Sequence, residues 1–221
     1  MNCESAEQIV RQIADVEIDD KISFVIKKTE EIMEDSEYQG VRLSLDAYLD
    51  KTRIPLKIDI STGDVITPCE ISFSYQLMFE NRTIPLLAYP PETVLAEKLE
   101  TILSRGEANT RLRDFYDVYI LQREDFVVTP DALCHALLVT CRKRGHEDLL
   151  HTYASILNEV RQSGAMRAQW MKYQTDFDYA AGITWDTVLD TVETLCMKTL
   201  DDHAFGDELP QEESQFEMHL L

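Results

Sequence analysis

The chain has 221 residues, 44% of them hydrophobic, enough for a sizeable core in one large domain or two small ones. A formal net charge of -20 excludes indiscriminate binding to DNA, RNA or an anionic membrane, because such binding needs Lys and Arg to neutralise phosphates. Five cysteines without a CxxC exclude a disulfide framework or thiol-redox motif. No apolar run reaches the roughly 18 to 20 residues of a membrane span, and the first residues lack a signal peptide's pattern, so a cytoplasmic setting is expected.

In chain order, Ile9, Ile13 and Val16 at helical spacing predict a short helix from Ser5 to Val16, with Ser5 as its N-cap. The period then changes to two. Ile22, Phe24 and Ile26 on one side, and Val41, Leu43, Leu45, Ala47 and Leu49 on the other, predict a hairpin joined by a polar turn from Glu34 to Gly40. A strand from Leu56 to Ser61 follows, with Asp59 beside Lys57 on the face opposite Leu56, Ile58 and Ile60. Two more strands are expected, Ile71 to Phe79 and Thr83 to Tyr89. Beyond them the pattern is helical. Pro90 and Pro91 open a helix that runs to Gly106, a second runs from about Thr110 to Arg123, Pro130 opens a third, and helices continue to about Leu200. The last residues, 201–221, hold seven acids and no Lys or Arg, which predicts a solvated, disordered tail. Strands first and helices afterwards predict an α+β fold. The expected organisation is a core over 1–123, a helical C-terminal subdomain over 124–200 and the acidic tail over 201–221, with a boundary near Glu124 to Thr129.

On a helical wheel Lys98 falls inside the apolar arc of Val94, Leu95, Leu99, Ile102 and Leu103, while Glu97 and Glu100 point away. An inward ammonium needs a carboxylate partner or a cleft, which leaves two readings open: a structural ion pair with Glu92 or an Asp, or a phosphate contact. In the next helix Asp114 and Asp117 sit off the apolar arc, where solvated charges and an Arg113–Asp117 pair at i, i+4 account for them. Asp59 reads either as an acid on the wet face of a sheet or as a strand-borne oxygen ligand for Mg²⁺, which normally needs two or three converging acids.

Taken in order, KIDIS (57–61), YPPETVLAEKLETI (89–102) and RLRDFYDV (111–118) resemble the later motifs of the AbiEii nucleotidyltransferases, toxins of type IV toxin-antitoxin systems. The similarity covers roughly Lys21 to Leu121. It implies a polymerase-β-like nucleotidyltransferase mixed sheet with helices, followed by a helical C-terminal part. By resemblance Asp59 is a metal-site acid, Lys98 contacts the triphosphate, and Asp114 and Asp117 belong to the fourth motif near the active site. Arg113 stands where Lys is usual and joins Lys98 on the nucleotide. The implied chemistry is transfer of a nucleotide from NTP, with Mg²⁺, to a tRNA, another RNA or a protein, and the implied partner is a cognate antitoxin. The family's first motif, a Gly-Gly or Gly-Ser turn followed by paired acids, is expected upstream of the helix at Ser5; no glycine occurs before Gly40, and the Asp19–Asp20 pair follows no glycine turn. The expectation is therefore a chain active when completed by an upstream motif, or a truncated, inactive paralogue serving as a binding module or remnant.

Three weaker candidates remain. Cys134, Cys141, His146 and His151 match no common zinc spacing and read as helix-core residues. Arg142, Lys143 and Arg144 suit a helix C-terminus or an RNA contact. Trp170, Tyr173, Phe177 and Tyr179 read as core or interface rather than a stacking platform.

Overall fold

The computed structural model describes residues 2–18, 20–32, 40–123 and 128–201. Outside the described residues lie 34–39 of the expected turn, Asp19 of the acidic pair, 124–127 of the expected boundary and 202–221 of the acidic tail. Two compact units divide the chain, Met1–Val65 and Ile66–Leu221.

The first unit is a helix on a three-stranded antiparallel sheet. Helix α1 (Cys3–Ala14) starts two residues earlier than Ser5 predicts, because the Asn2 side chain is the cap: its oxygen accepts from the Ser5 amide at 2.8 Å. Strands β1 (Ile22–Ile32), β2 (Gly40–Leu49) and β3 (Thr52–Ile60) form a meander in that order. A register shift between Ile26 and Lys28 marks a bulge in β1. The turn from β2 to β3 has two residues, Asp50 and Lys51, and Asp50 takes the positive φ of 51° that such hairpins require. Alternation sorts the faces of β2. Val41, Leu43 and Leu45 are buried against Ala6 and Val10 of α1, while Arg42, Ser44, Asp46 and Tyr48 occupy the other face. Asp46 on that face is nearly inaccessible and holds Arg53 at 2.9 Å and Lys27 at 3.7 Å.

The second unit begins with the hairpin β4 (Ile71–Gln76) and β5 (Thr83–Ala88) and is otherwise helical. Its main helices are α2 (Pro91–Arg105), α3 (Leu112–Leu121), α4 (Pro130–Lys143), α5 (Leu149–Gln162), α6 (Gly164–Asp176) and α7 (Trp185–Leu200). One core joins them, with Leu99, Ile102, Phe115, Leu137, Leu157, Trp170 and Leu189 fully buried; each large side chain contributes about 1.5–3 kcal/mol on leaving water. Phe115 and Trp185 lie 5.1 Å apart between ring centres, and the Trp170 indole N–H donates to the Ile183 carbonyl at 2.8 Å. Helices α2 and α3 share this core with α4 to α7, and all of them lie within the unit that begins at Ile66. Among the described residues no helix is long and apolar enough to cross a membrane.

Candidate functional site

Helix α2 is buried almost all round, since α3, α4 and α5 each pack against it. Gly106, at φ 48°, ends it, and the Asn109 side chain accepts from the Arg111 amide at 2.7 Å, bringing α3 back beside α2. Lys98 meets α3 there. Its Nζ lies 2.6 Å from Asp117 Oδ2 and 3.3 Å from Asp114 Oδ1, with the lysine side chain 20% exposed. Asp114 and Asp117, three apart, present their carboxylates on the same side of α3. The wheel's solvated aspartates are therefore half-buried ion-pair partners, and of the readings open for Lys98 the pairing with Asp is present. The Arg113–Asp117 pair also forms, more loosely, at 3.7 Å. One oxygen stays unspent: Asp114 Oδ2 is buried and makes no hydrogen bond.

These groups line a cavity of about 760 Å³ whose other wall is α6. Lys98, Arg111, Arg113 and Lys172 bring four cations to it, against Asp114, Asp117 and Asp176. In a chain of net charge -20 this is a local reversal of sign. Arg111 and Lys172 make no ion pair with a described carboxylate. The first turn of α3, Arg111 to Asp114, also faces the cavity, adding the positive end of a helix dipole.

Asp59 is differently placed. It stands directly opposite Arg42 across β2 and β3, and the guanidinium grips both carboxylate oxygens, Nε to Oδ1 and Nη2 to Oδ2, each at 2.7 Å. That grip holds the Asp59 carboxyl below the usual carboxylate range. With both oxygens engaged by an arginine, Asp59 does not fit a Mg²⁺ ligand as it stands, and among the described residues no group of three or more His, Cys, Asp or Glu converges to hold a metal ion.

Glu100 corrects the wheel. Expected outward, it is 2% exposed and binds both the Arg144 guanidinium and His146 Nδ1, the latter at 2.7 Å. A single apolar arc misleads for a helix packed on three sides. The basic cluster at 142–144 is correspondingly engaged within the chain: Arg142 pairs with Glu147 at 2.8 Å, and Arg144 with Glu100 and, at 3.8 Å, with Glu97. Cys134 and Cys141 are buried in the core, and burial, with Glu100 nearby, pushes the Cys141 thiol up to about 12. The residues that the sequence reading missed are Gln169, Lys172 and Asp176 of α6, whereas Tyr173 was read as core or interface. Gln169, Lys172, Tyr173 and Asp176 recur at the i, i+3, i+4, i+7 spacing of one helix face, and that face lines the cavity.

Fold and site together define an α+β protein whose second unit holds a charged cavity built on a lysine between two aspartates. The family model for Nucleotidyl transferase AbiEii toxin, Type IV TA system, matches residues 4–191, and the chain belongs to that family. Nucleotidyl transfer is thus its class of function and a toxin-antitoxin system its class of setting. Comparison with curated proteins and with solved structures gave no match.

Proposed function

We propose that the cavity between α3 and α6 holds the triphosphate of an NTP whose nucleotide is transferred to a tRNA, another RNA or a protein. The observation that carries this reading is Lys98, fixed by Asp114 and Asp117 at the wall of a cavity that also bears Arg111, Arg113 and Lys172. In such a transfer an acceptor oxygen bonds to the α-phosphorus and pyrophosphate leaves, so negative charge accumulates on the leaving oxygens. Lys98, held by two carboxylates, is pre-positioned to balance that charge without reorganising during the reaction, and Arg113, 75% exposed beside the cavity, adds a second cation. Asp114 and Asp117 orient the lysine, and the proton of the incoming hydroxyl leaves to solvent as the new bond forms. Asp59 and Mg²⁺ belong to the family's chemistry, but no step is assigned to them while Arg42 occupies the carboxylate. A cognate antitoxin and a cytoplasmic setting accompany this reading.

The Arg42–Asp59 grip favours a second reading, a nucleotide-binding module without transfer. One experiment separates them. The full protein is incubated with each α-labelled NTP, Mg²⁺ and a tRNA pool, beside Lys98→Ala. Label on the acceptor, reduced on the order of 100-fold or more by Lys98→Ala, is the expected result. Equal labelling by both proteins removes Lys98 from the site. NTP binding with no labelling by either supports the module.

A further inference from the structure

On the α6 face that lines the cavity, Tyr173 packs against the core, whereas Gln169 and Lys172 make no hydrogen bond or ion pair with a described residue. Met166 and Trp170 of this helix are fully buried, yet Gln169, Lys172 and Tyr173 line the cavity, followed by Phe177 at the helix end. Tyr173 is held rigidly: its ring stacks on Trp170 at 5.3 Å and 24°, and its hydroxyl lies 2.8 Å from that of Tyr179. Burial, the hydrogen bond to Tyr179 and the nearby Asp117 all push the Tyr173 phenol above its ordinary pKa, so it remains neutral. Phe177 packs on this fixed ring at 4.7 Å but remains 41% exposed. The half-buried Gln169 makes no hydrogen bond with a described residue, leaving its amide to donate and accept. Lys172 stands between them without an ion pair.

We propose that this face is the nucleobase subsite of the NTP: the Phe177 ring stacks the base, the Gln169 amide bonds its edge, and Lys172 meets the phosphates from the side opposite Lys98. The proposal rests on the reading of the cavity as an NTP site and deepens it by naming the residues that choose the nucleotide. The chemistry is complementary. A base offers a flat π-face and an edge of donors and acceptors, which suits an exposed ring beside an uncommitted amide. The triphosphate offers the charge that Lys98, Arg111, Arg113 and Lys172 balance. The volume of about 760 Å³ falls within the range of pockets for ligands of this size.

Calorimetry on the full protein tests it with the four NTPs, inorganic tripolyphosphate and a short single-stranded RNA as probes. Phe177→Leu keeps the apolar packing on Tyr173 while removing the ring. The expected result is NTP affinity about tenfold weaker, the order of one lost base stack, with tripolyphosphate affinity unchanged and NTP affinity restored by Phe177→Trp. Gln169→Ala is expected to narrow the spread of affinities among the four NTPs. The proposal is overturned if Phe177→Leu binds NTP as the wild type does, if it loses tripolyphosphate equally, or if it weakens only the RNA, which would make Phe177 part of an acceptor site. Wild-type protein that binds tripolyphosphate as tightly as any NTP also overturns it, leaving the phosphate site intact. A wild type that binds neither probe removes the NTP reading of the cavity itself.

Discussion

Two carboxylate-cation sites in this chain use similar groups to different ends. On the sheet, Arg42 and Asp59 satisfy each other with two parallel hydrogen bonds, at 35% and 49% side-chain exposure. Among the helices, one Lys98 ammonium serves Asp114 and Asp117 at 16% and 23% exposure, and leaves Asp114 Oδ2 without a hydrogen bond. The fork of arginine matches a carboxylate fully; the point charge of lysine cannot match two. The sheet pair is closed upon itself and wet, where such pairs contribute little. The helix triad is drier, incompletely matched and open to a cavity, the condition in which charged groups act on something else.

A third arrangement sharpens this contrast and gives the largest expected effect. Glu100 is buried as deeply as the core and is bound by both Arg144 and His146. Glu100→Ala should therefore cost stability alone, on the order of 3 kcal/mol, by removing the buried carboxylate that Arg144 and His146 both bind and leaving Arg144 its looser contact with Glu97 at 3.8 Å. Chemical denaturation measures the loss, and an unchanged midpoint would contradict a structural role for the pair.

Next in size is the triad itself. Lys98→Met should lower stability by about 1.5–3 kcal/mol, the worth of charge-assisted bonds, because two half-buried carboxylates then face each other. Adding Asp117→Asn should return part of that loss. Strict additivity of the two substitutions in denaturant melts would show that Lys98 and Asp117 are not coupled.

The smallest effect belongs to the sheet pair. Arg42→Ala should leave stability nearly unaltered near neutral pH, while the Asp59 carboxyl, held low by the Arg42 hydrogen bonds, rises towards its ordinary value. A group whose folded pKa is depressed supplies its stability above the unfolded value, about 3.9, and loses it as pH falls through the folded value. The wild type should thus lose this small contribution on acidification below about pH 4, and Arg42→Ala should have none to lose. Carboxyl carbon shifts followed by NMR report the titration directly; the same midpoint in both proteins would dissolve the contrast between the two sites.

Much of this architecture was legible in the amino-acid order, for local reasons. Alternation along 41–49 and 56–61 reports strands, half-buried in β2 although β3 is exposed at all but its last residue, and the prolines at 90, 91 and 130 report helix starts, because both depend on neighbours in sequence. Lys98 stood out as an inward charge on the same grounds, and the order of KIDIS, AEKL and RDFYD pointed to the family that residues 4–191 match. Partners distant in sequence were not legible. Asp114 and Asp117 looked solvated because a wheel describes one helix, whereas their ligand is on another. Glu100 looked outward because the wheel assumes one buried side, and α2 is covered on three. Asp59 gave no sign of Arg42, which only the register of β2 against β3 sets opposite it. The α6 face, polar by composition, acquires its meaning from the cavity it closes against α3. Periodicity is a property of one element, so it can decide which side chains turn inward; what they meet there depends on how elements pack, and packing alone placed these charges together.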